Sequence, residues 1–307
     1  MVDPNKPFLR SDALASGISA GALAGRQYVR IFHKVHISAG VRLDREHRFA
    51  AGLLAHPSGA WISHTSAAAL RGVAVPDDPD VHVSVVDAKD RRWSPGLKPH
   101  VAPVGTEVVV CQGIRVSGIV RMFVELAAVL PLVDLVVAGD SMCRVLGIKA
   151  AWLRSELEKT RDYWSAAARY AAQFVRDRVD SPMETRTRML LVLAGFPEPT
   201  VNFEIRDENG DVVLQFDLAY EAVRVAVEFH GRHHVEVIAS WERDLERQDV
   251  VDDARWRVVS VTASGVYVDP LKTLDRVARA LRSRGMRVPR SYDPEWMRHF
   301  PGRRRAS

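Results

Sequence analysis

With 307 residues, 47% hydrophobic and 26% charged, the chain has an ordinary globular composition, which excludes intrinsic disorder and a membrane-embedded class and predicts two or three domains. The formal net charge of +5 is concentrated: Lys6, Arg10, Arg26, Arg30, Lys34, Arg42, Arg45 and Arg48 face four acids in residues 1–48, and eight arginines face Asp293 and Glu295 in residues 282–307. Such clusters suit a polyanion, because each neutralised phosphate releases counterions; the alternative is a solvated surface with a basic tail over 285–307.

In chain order, the start Met1-Val-Asp-Pro-Asn-Lys lacks the apolar run of a signal peptide, so a cytoplasmic location is expected. Ser11-Asp-Ala-Leu-Ala-Ser and Ala20-Gly-Ala-Leu-Ala predict two short helices about a turn at Gly17, and Tyr28 to Ile37 predicts a basic strand pair. That outline over 1–48 is winged-helix-like, with Arg26, Arg30 and Lys34 as candidate nucleic-acid contacts; a capping subdomain without a ligand has the same outline.

Residues 49–179 read as a mixed α/β region ending in a helical linker. A helix is expected over His47 to Leu54, and a capped one over Ser63 to Gly72. A strand is expected at Val81-His-Val-Ser-Val-Val, and a further strand pair about Gly113. Helices follow on either side of Pro131, and helical spacing runs from Ala150 to Val179. The apolar stretch Phe123 to Met142 contains Glu125, Asp134 and Asp140, which would be costly in lipid, so it predicts buried helix and no membrane partner. His64 reads as a structural hydrogen-bonding residue, since a metal site needs several convergent ligands. Cys111 and Cys143, without a CxxC or histidine-rich zinc spacing, fit a reducing compartment.

From Ser181 a third pattern begins. Ser181-Pro-Met-Glu184 opens a helix stopped by Gly195, Asp207-Glu-Asn-Gly210 turns a hairpin between Asn202 to Arg206 and Val212 to Ala219, and Val223 to His230 returns as a strand. A helix over Ser240 to Asp253 and a strand Trp256-Arg-Val-Val-Ser-Val-Thr complete the order. The expected fold class is therefore α/β, of the α+β kind, with a restriction-endonuclease-like module over 181–284. Alternation places Arg224, Ala226, Glu228 and His230 on one face of the returning strand. Pairing brings Asp217 near Glu228 in one register, which the sequence leaves open. Two converging carboxylates repel unless a cation joins them, which points to Mg²⁺ or Mn²⁺; the alternative is an ion pair of each acid with Arg224, Arg243 or Arg247. Glu184, three residues after Ser181, also completes a helix capping box.

Ser181-Pro-Met-Glu184, Phe216-Asp217-Leu-Ala-Tyr, Val227-Glu228-Phe-His230-Gly231-Arg-His233-His234, Trp241-Glu-Arg-Asp244-Leu-Glu-Arg247 and Trp256-Arg-Val-Val-Ser-Val resemble, in order, the PD-(D/E)xK nuclease superfamily. Within it they resemble an uncharacterised family of short domains related to the very-short-patch-repair endonucleases. The resemblance implies that Asp217 and Glu228 bind metal and that Glu184 is the acid of the first helix. His230 stands where the superfamily has lysine, with His233 as a further catalytic candidate. Arg243 and Arg247, four residues apart on one predicted helix, hold phosphate or bridge the sheet's acids. Ser11 to Ser19, Val35-His-Ile-Ser-Ala, Ser63 to Gly72 and Val116-Ser-Gly-Ile-Val-Arg-Met more loosely resemble the AbiEi antitoxins. Together these imply a DNA endonuclease, or a non-catalytic DNA-binding regulator built on a nuclease fold, with DNA as partner and a homodimer where both strands are cut.

Overall fold

A computed structural model describes residues 2–230, 251 and 254–302. The chain forms two compact units, Met1–Leu130 with Ser155–Arg169, and Pro131–Arg154 with Tyr170–Ser307. Each combines helices with sheet, so the class is α+β.

In the first unit, β1 (Phe8–Leu9), α1 (Arg10–Ala15), α2 (Ala20–Ala24), β2 (Tyr28–Phe32) and β3 (Val35–Ser38) follow one another. The sheet order is β1-β3-β2, antiparallel throughout. Phe8, Ala13 and Leu23 form its small core, with Phe8 edge-on to Tyr28 at 5.7 Å. The order is two short helices followed by an antiparallel strand pair, with β1 added at its edge.

After α3 (Arg45–Leu54) come β4 (Trp61–Ile62), α4 (His64–Leu70), β5 (Val81–Val85), β6 (Leu97–Val101), β7 (Val108–Cys111), β8 (Ile114–Ser117) and α5 (Ile119–Ala127). The five strands are ordered β6-β5-β4-β8-β7, with β5–β6 and β4–β8 parallel. Gly52 lets α3 lie against this sheet, because a Cβ there would come within 3.0 Å of Val81 Cγ1. The helical spacing over 150–179 divides into α7 (Ala150–Glu158) and α8 (Ser165–Ala172). Thr160 Oγ1 donates to the Leu157 carbonyl at 2.8 Å and Arg169 reaches the same carbonyl at 3.3 Å, satisfying the open end of α7.

In the second unit, α6 (Leu132–Leu146) and α9 (Pro182–Leu193) accompany a sheet of β9 (Thr200–Arg206), β10 (Val212–Tyr220), β11 (Val225–Phe229) and β12 (Arg257–Val261). Its order is β12-β11-β10-β9, and β12 runs parallel to β11. Trp256 packs on Phe216 at 4.7 Å within a cluster that includes Leu214, Ala226 and Val251. The returning strand is shorter than its sequence predicts. Glu221–Val223 form a 3-10 turn and Arg224 is left-handed (φ 50°), so the strand begins at Val225 and Arg224 leaves the face shared by Ala226 and Glu228. Most of the helix expected over 240–253 lies outside the described residues. After β12 come α10 (Ala263–Tyr267), α11 (Pro270–Ser283) and α12 (Glu295–His299), where Trp296 and Phe300 are buried. Residues 285–302 are thus packed structure rather than a plain basic tail. Among the described residues no helix is long and apolar enough to cross a membrane.

Candidate functional site

The β10–β11 ladder pairs Tyr220 with Val225, Ala219 with Ala226 and Leu218 with Val227. That is the register whose next step sets Asp217 against Glu228. The ladder stops there, and the Asp217 side chain takes its place: Oδ2 accepts the Phe229 N–H at 2.8 Å. Beyond it the His230 N–H donates to the Val261 carbonyl of β12 at 2.7 Å, so β11 ends between two anchored neighbours. Glu228 is buried, and His230, half exposed, brings Nε2 to 3.9 Å from Glu228 Oε2.

Glu184 reaches the same neighbourhood from α9. Its N–H donates to Ser181 Oγ at 3.2 Å, so Ser181 caps the helix as expected, while its Oε2 accepts the N–H of Asp180, one residue before the cap, at 3.0 Å rather than that of Ser181 as the full capping box would have it. Burial pushes its carboxyl above the ordinary range; the Ser181 and Asp180 donors oppose that push, and the charges of Asp217 and Asp180 add to it. Glu184 therefore ties down the start of its helix and also feels the charge of Asp217. His233, Arg243 and Arg247 lie outside the described residues.

The three basic residues of the N-terminal segment expected to contact nucleic acid are exposed: Arg26 before β2, Arg30 on it, and Lys34 in its turn with φ 62°. His36 is buried beside them, and burial first, then Arg30 and Arg10, hold its imidazole below the usual range. Helix α2 consists of Ala20, Gly21, Ala22, Leu23 and Ala24 and carries no polar side chain beyond its Ser19 cap.

A second group of chemistry-bearing side chains lies in the five-stranded sheet. Ring nitrogens of His64, His82 and His100 all fall within 4.8 Å of one another and could hold a metal ion. His64 does hydrogen-bond, through Nδ1 with Ser63 and through its N–H to Glu125, but it does not stand alone as its sequence suggests. Its partners come from β5 and the edge strand β6, where Ser84 pairs with His100 and His82 with Lys98. No family model matches the chain. Two uncharacterised proteins of Mycobacterium tuberculosis, from strains CDC 1551 / Oshkosh and H37Rv, are each 27% identical to it over 115 residues, which is 38% of this chain and 42% of the relative. The chain thus matches about two-fifths of the length of these curated relatives.

The structure gathers Asp217, Glu228 and His230 around the end of the β10–β11 ladder, with Glu184 of α9 within electrostatic reach of Asp217, and it sets Arg30 and Lys34 on the β2–β3 ribbon with Arg26 just before it. The histidine group was missed because its members are 18 residues apart in sequence, on three different elements. The available signal was parity: His82 and Ser84, like Lys98 and His100, alternate on strands, but parallel pairing between them is not a local property.

Proposed function

We propose that the protein is a metal-dependent endonuclease whose C-terminal module hydrolyses phosphodiesters of DNA and whose N-terminal ribbon holds the DNA backbone. What supports this reading is the β10–β11 register, whose next step sets Asp217 against Glu228, with His230 Nε2 3.9 Å from Glu228. The donors fit Mg²⁺ or Mn²⁺: they are hard carboxylate oxygens, and the push of Asp217 on Glu184 is the repulsion that a divalent cation relieves. When bound, such an ion supplies a water of lowered pKa and neutralises charge on the scissile phosphate.

The chain's own residues have separate tasks. Phe229 N–H fixes the Asp217 carboxylate, and Ser181 with Asp180 fixes Glu184 at the start of its helix. His230 stands half exposed at the strand end, 3.9 Å from Glu228, where the resembled superfamily uses lysine. Arg26, Arg30 and Lys34 bind phosphates, and a homodimer supplies the second site that a double-strand break needs. The two free cysteines accord with a cytoplasmic setting.

Asp217→Asn keeps an acceptor for Phe229 N–H while removing the charge. It is expected to abolish Mg²⁺- or Mn²⁺-dependent DNA cleavage and to leave the melting curve in place. Equal cleavage by both proteins would sink the assignment. The histidine at position 230 favours a second reading, a non-catalytic DNA-binding regulator. A salt-dependent gel shift with no cleavage under any divalent ion decides for that one.

A further inference from the structure

We propose that His64, His82 and His100 form a binding site for a transition-metal dication of the zinc class, with three imidazole nitrogens as ligands and water in the fourth place. The site belongs to the N-terminal unit and is independent of the carboxylates of the C-terminal one. Imidazole nitrogen selects borderline ions such as Zn²⁺ and Co²⁺ over Mg²⁺ or Ca²⁺, and three histidines with an open position are an established zinc ligand set.

The surroundings are those of a built site. His82 Nε2 lies 2.9 Å from Asp78 Oδ2. A proton donated there leaves His82 Nδ1 turned to His100, whose Nε2 is 3.0 Å away. This is the carboxylate–histidine pairing that orients metal ligands. Asp78 is itself held by Thr65 Oγ1 at 3.3 Å, the Asp80 N–H at 3.0 Å and Lys98 at 3.8 Å. On the other side, His64 Nδ1 is 2.9 Å from Ser63 Oγ, which leaves Nε2 for the cluster, and the ring stacks on His100 at 3.7 Å.

His64 takes its place at a cost. Its φ is 50°, left-handed for a residue with a Cβ, a strained conformation that persists only where surrounding contacts enforce it. Here they do: the His64 N–H donates at 3.1 Å to Glu125, a buried carboxylate also bonded by Ser117 Oγ at 2.7 Å and by Arg121 at 3.0 Å. Two hydrogen-bonding shells therefore converge on imidazoles that make one hydrogen bond among the three of them. In a tetrahedral site ligand nitrogens stand roughly 3.3 Å apart; the widest pair here has at most ~1.5 Å to close. His64 and His82 are buried, and His100, partly exposed on the edge strand, gives the route in.

The test uses the full-length protein, stripped with chelator and titrated with Zn²⁺ and with Co²⁺. An Asp217→Asn/Glu228→Gln background removes the acidic site from the measurement. One equivalent per chain is expected, with the visible absorption of four-coordinate Co²⁺. Asp78→Asn should weaken binding by ~10–100-fold, and His100→Gln, which keeps a donor toward His82, should weaken it further. X-ray absorption of the zinc-loaded protein should show imidazole scattering, so that a misfolded variant leaves the ligand assignment testable. No uptake in the Asp217→Asn/Glu228→Gln background, uptake unchanged by His100→Gln, or a zinc shell without imidazole overturns the proposal.

Discussion

At the scale of single residues, protons are the sharpest probe of the N-terminal unit. His100 is held at about 4 by burial first, then by His82 and Lys98; His64 and His82 are also lowered chiefly by burial, with Asp78 opposing the shift at His82. In the unfolded chain each returns to about 6.5. Between pH 6.5 and 4 the unfolded state therefore binds protons that the folded state refuses, and stability present above that window is lost as pH falls through it. For His100 the loss amounts to at most about 3 kcal/mol. Urea denaturation of metal-free protein should show falling stability from pH 7.5 to 5.0, with a shallower slope in His100→Gln. A slope unchanged by that substitution would separate the acid sensitivity from this histidine.

At the scale of elements, α6 and α9 are joined by a buried charge network rather than by apolar contact alone. Arg188, fully buried, donates to Asp140 at 2.9 Å and to Glu198 at 3.0 Å. Asp140 also accepts from Thr185 Oγ1 at 2.8 Å and from the Arg176 N–H at 2.7 Å. Burial raises the Asp140 carboxyl against the pull of Arg188. Removing one partner strands the other in low dielectric, so Arg188→Met should cost about 3–5 kcal/mol in chemical denaturation. Asp140→Leu combined with Arg188→Met should recover much of that loss, because neither variant side chain then needs a counter-charge. All three acids of the apolar stretch 123–142 that looked costly in lipid, Glu125, Asp134 and Asp140, have such partners. The expectation of buried helices rested on their charge; the partners themselves come from residues 64, 117, 121, 176, 185, 186 and 188 and were not readable beside them.

At the scale of the whole molecule, the unit boundaries follow packing rather than motif. The C-terminal module reads in sequence as beginning at Ser181, yet α6 shares its unit and supplies Asp140 to Arg188. A fragment starting at Ser181 should consequently expose the α6-facing side of α9 and aggregate, whereas one starting at Pro131 should give a cooperative unfolding transition. Limited proteolysis and circular dichroism of the two fragments check this; equal stability would remove α6 from the folding unit. Buried Trp296 and Phe300 likewise place the residues after α11 inside that unit.

Local chemistry made much of this chain legible. The strand through Val225 to Phe229, the Ser181 cap of α9, the Asn209-Gly210 turn and the stop at Gly195 each depend on a few neighbouring residues, and each appears where the pattern puts it, although β11 is buried on both faces rather than alternating. Strand β6 was not legible, since Lys98 and Pro99 break the apolar run, and an edge strand tolerates a proline that a central one does not. The left-handed Arg224 and the meeting of Asp217 with Glu228 required the ladder itself, because register is a property of two strands together. The same reason separates the two candidate sites. The acids lie on consecutive strands joined by a short turn, so sequence could bring them close. The histidines converge through a parallel pairing and a helix start, and only the tertiary structure decided that they meet.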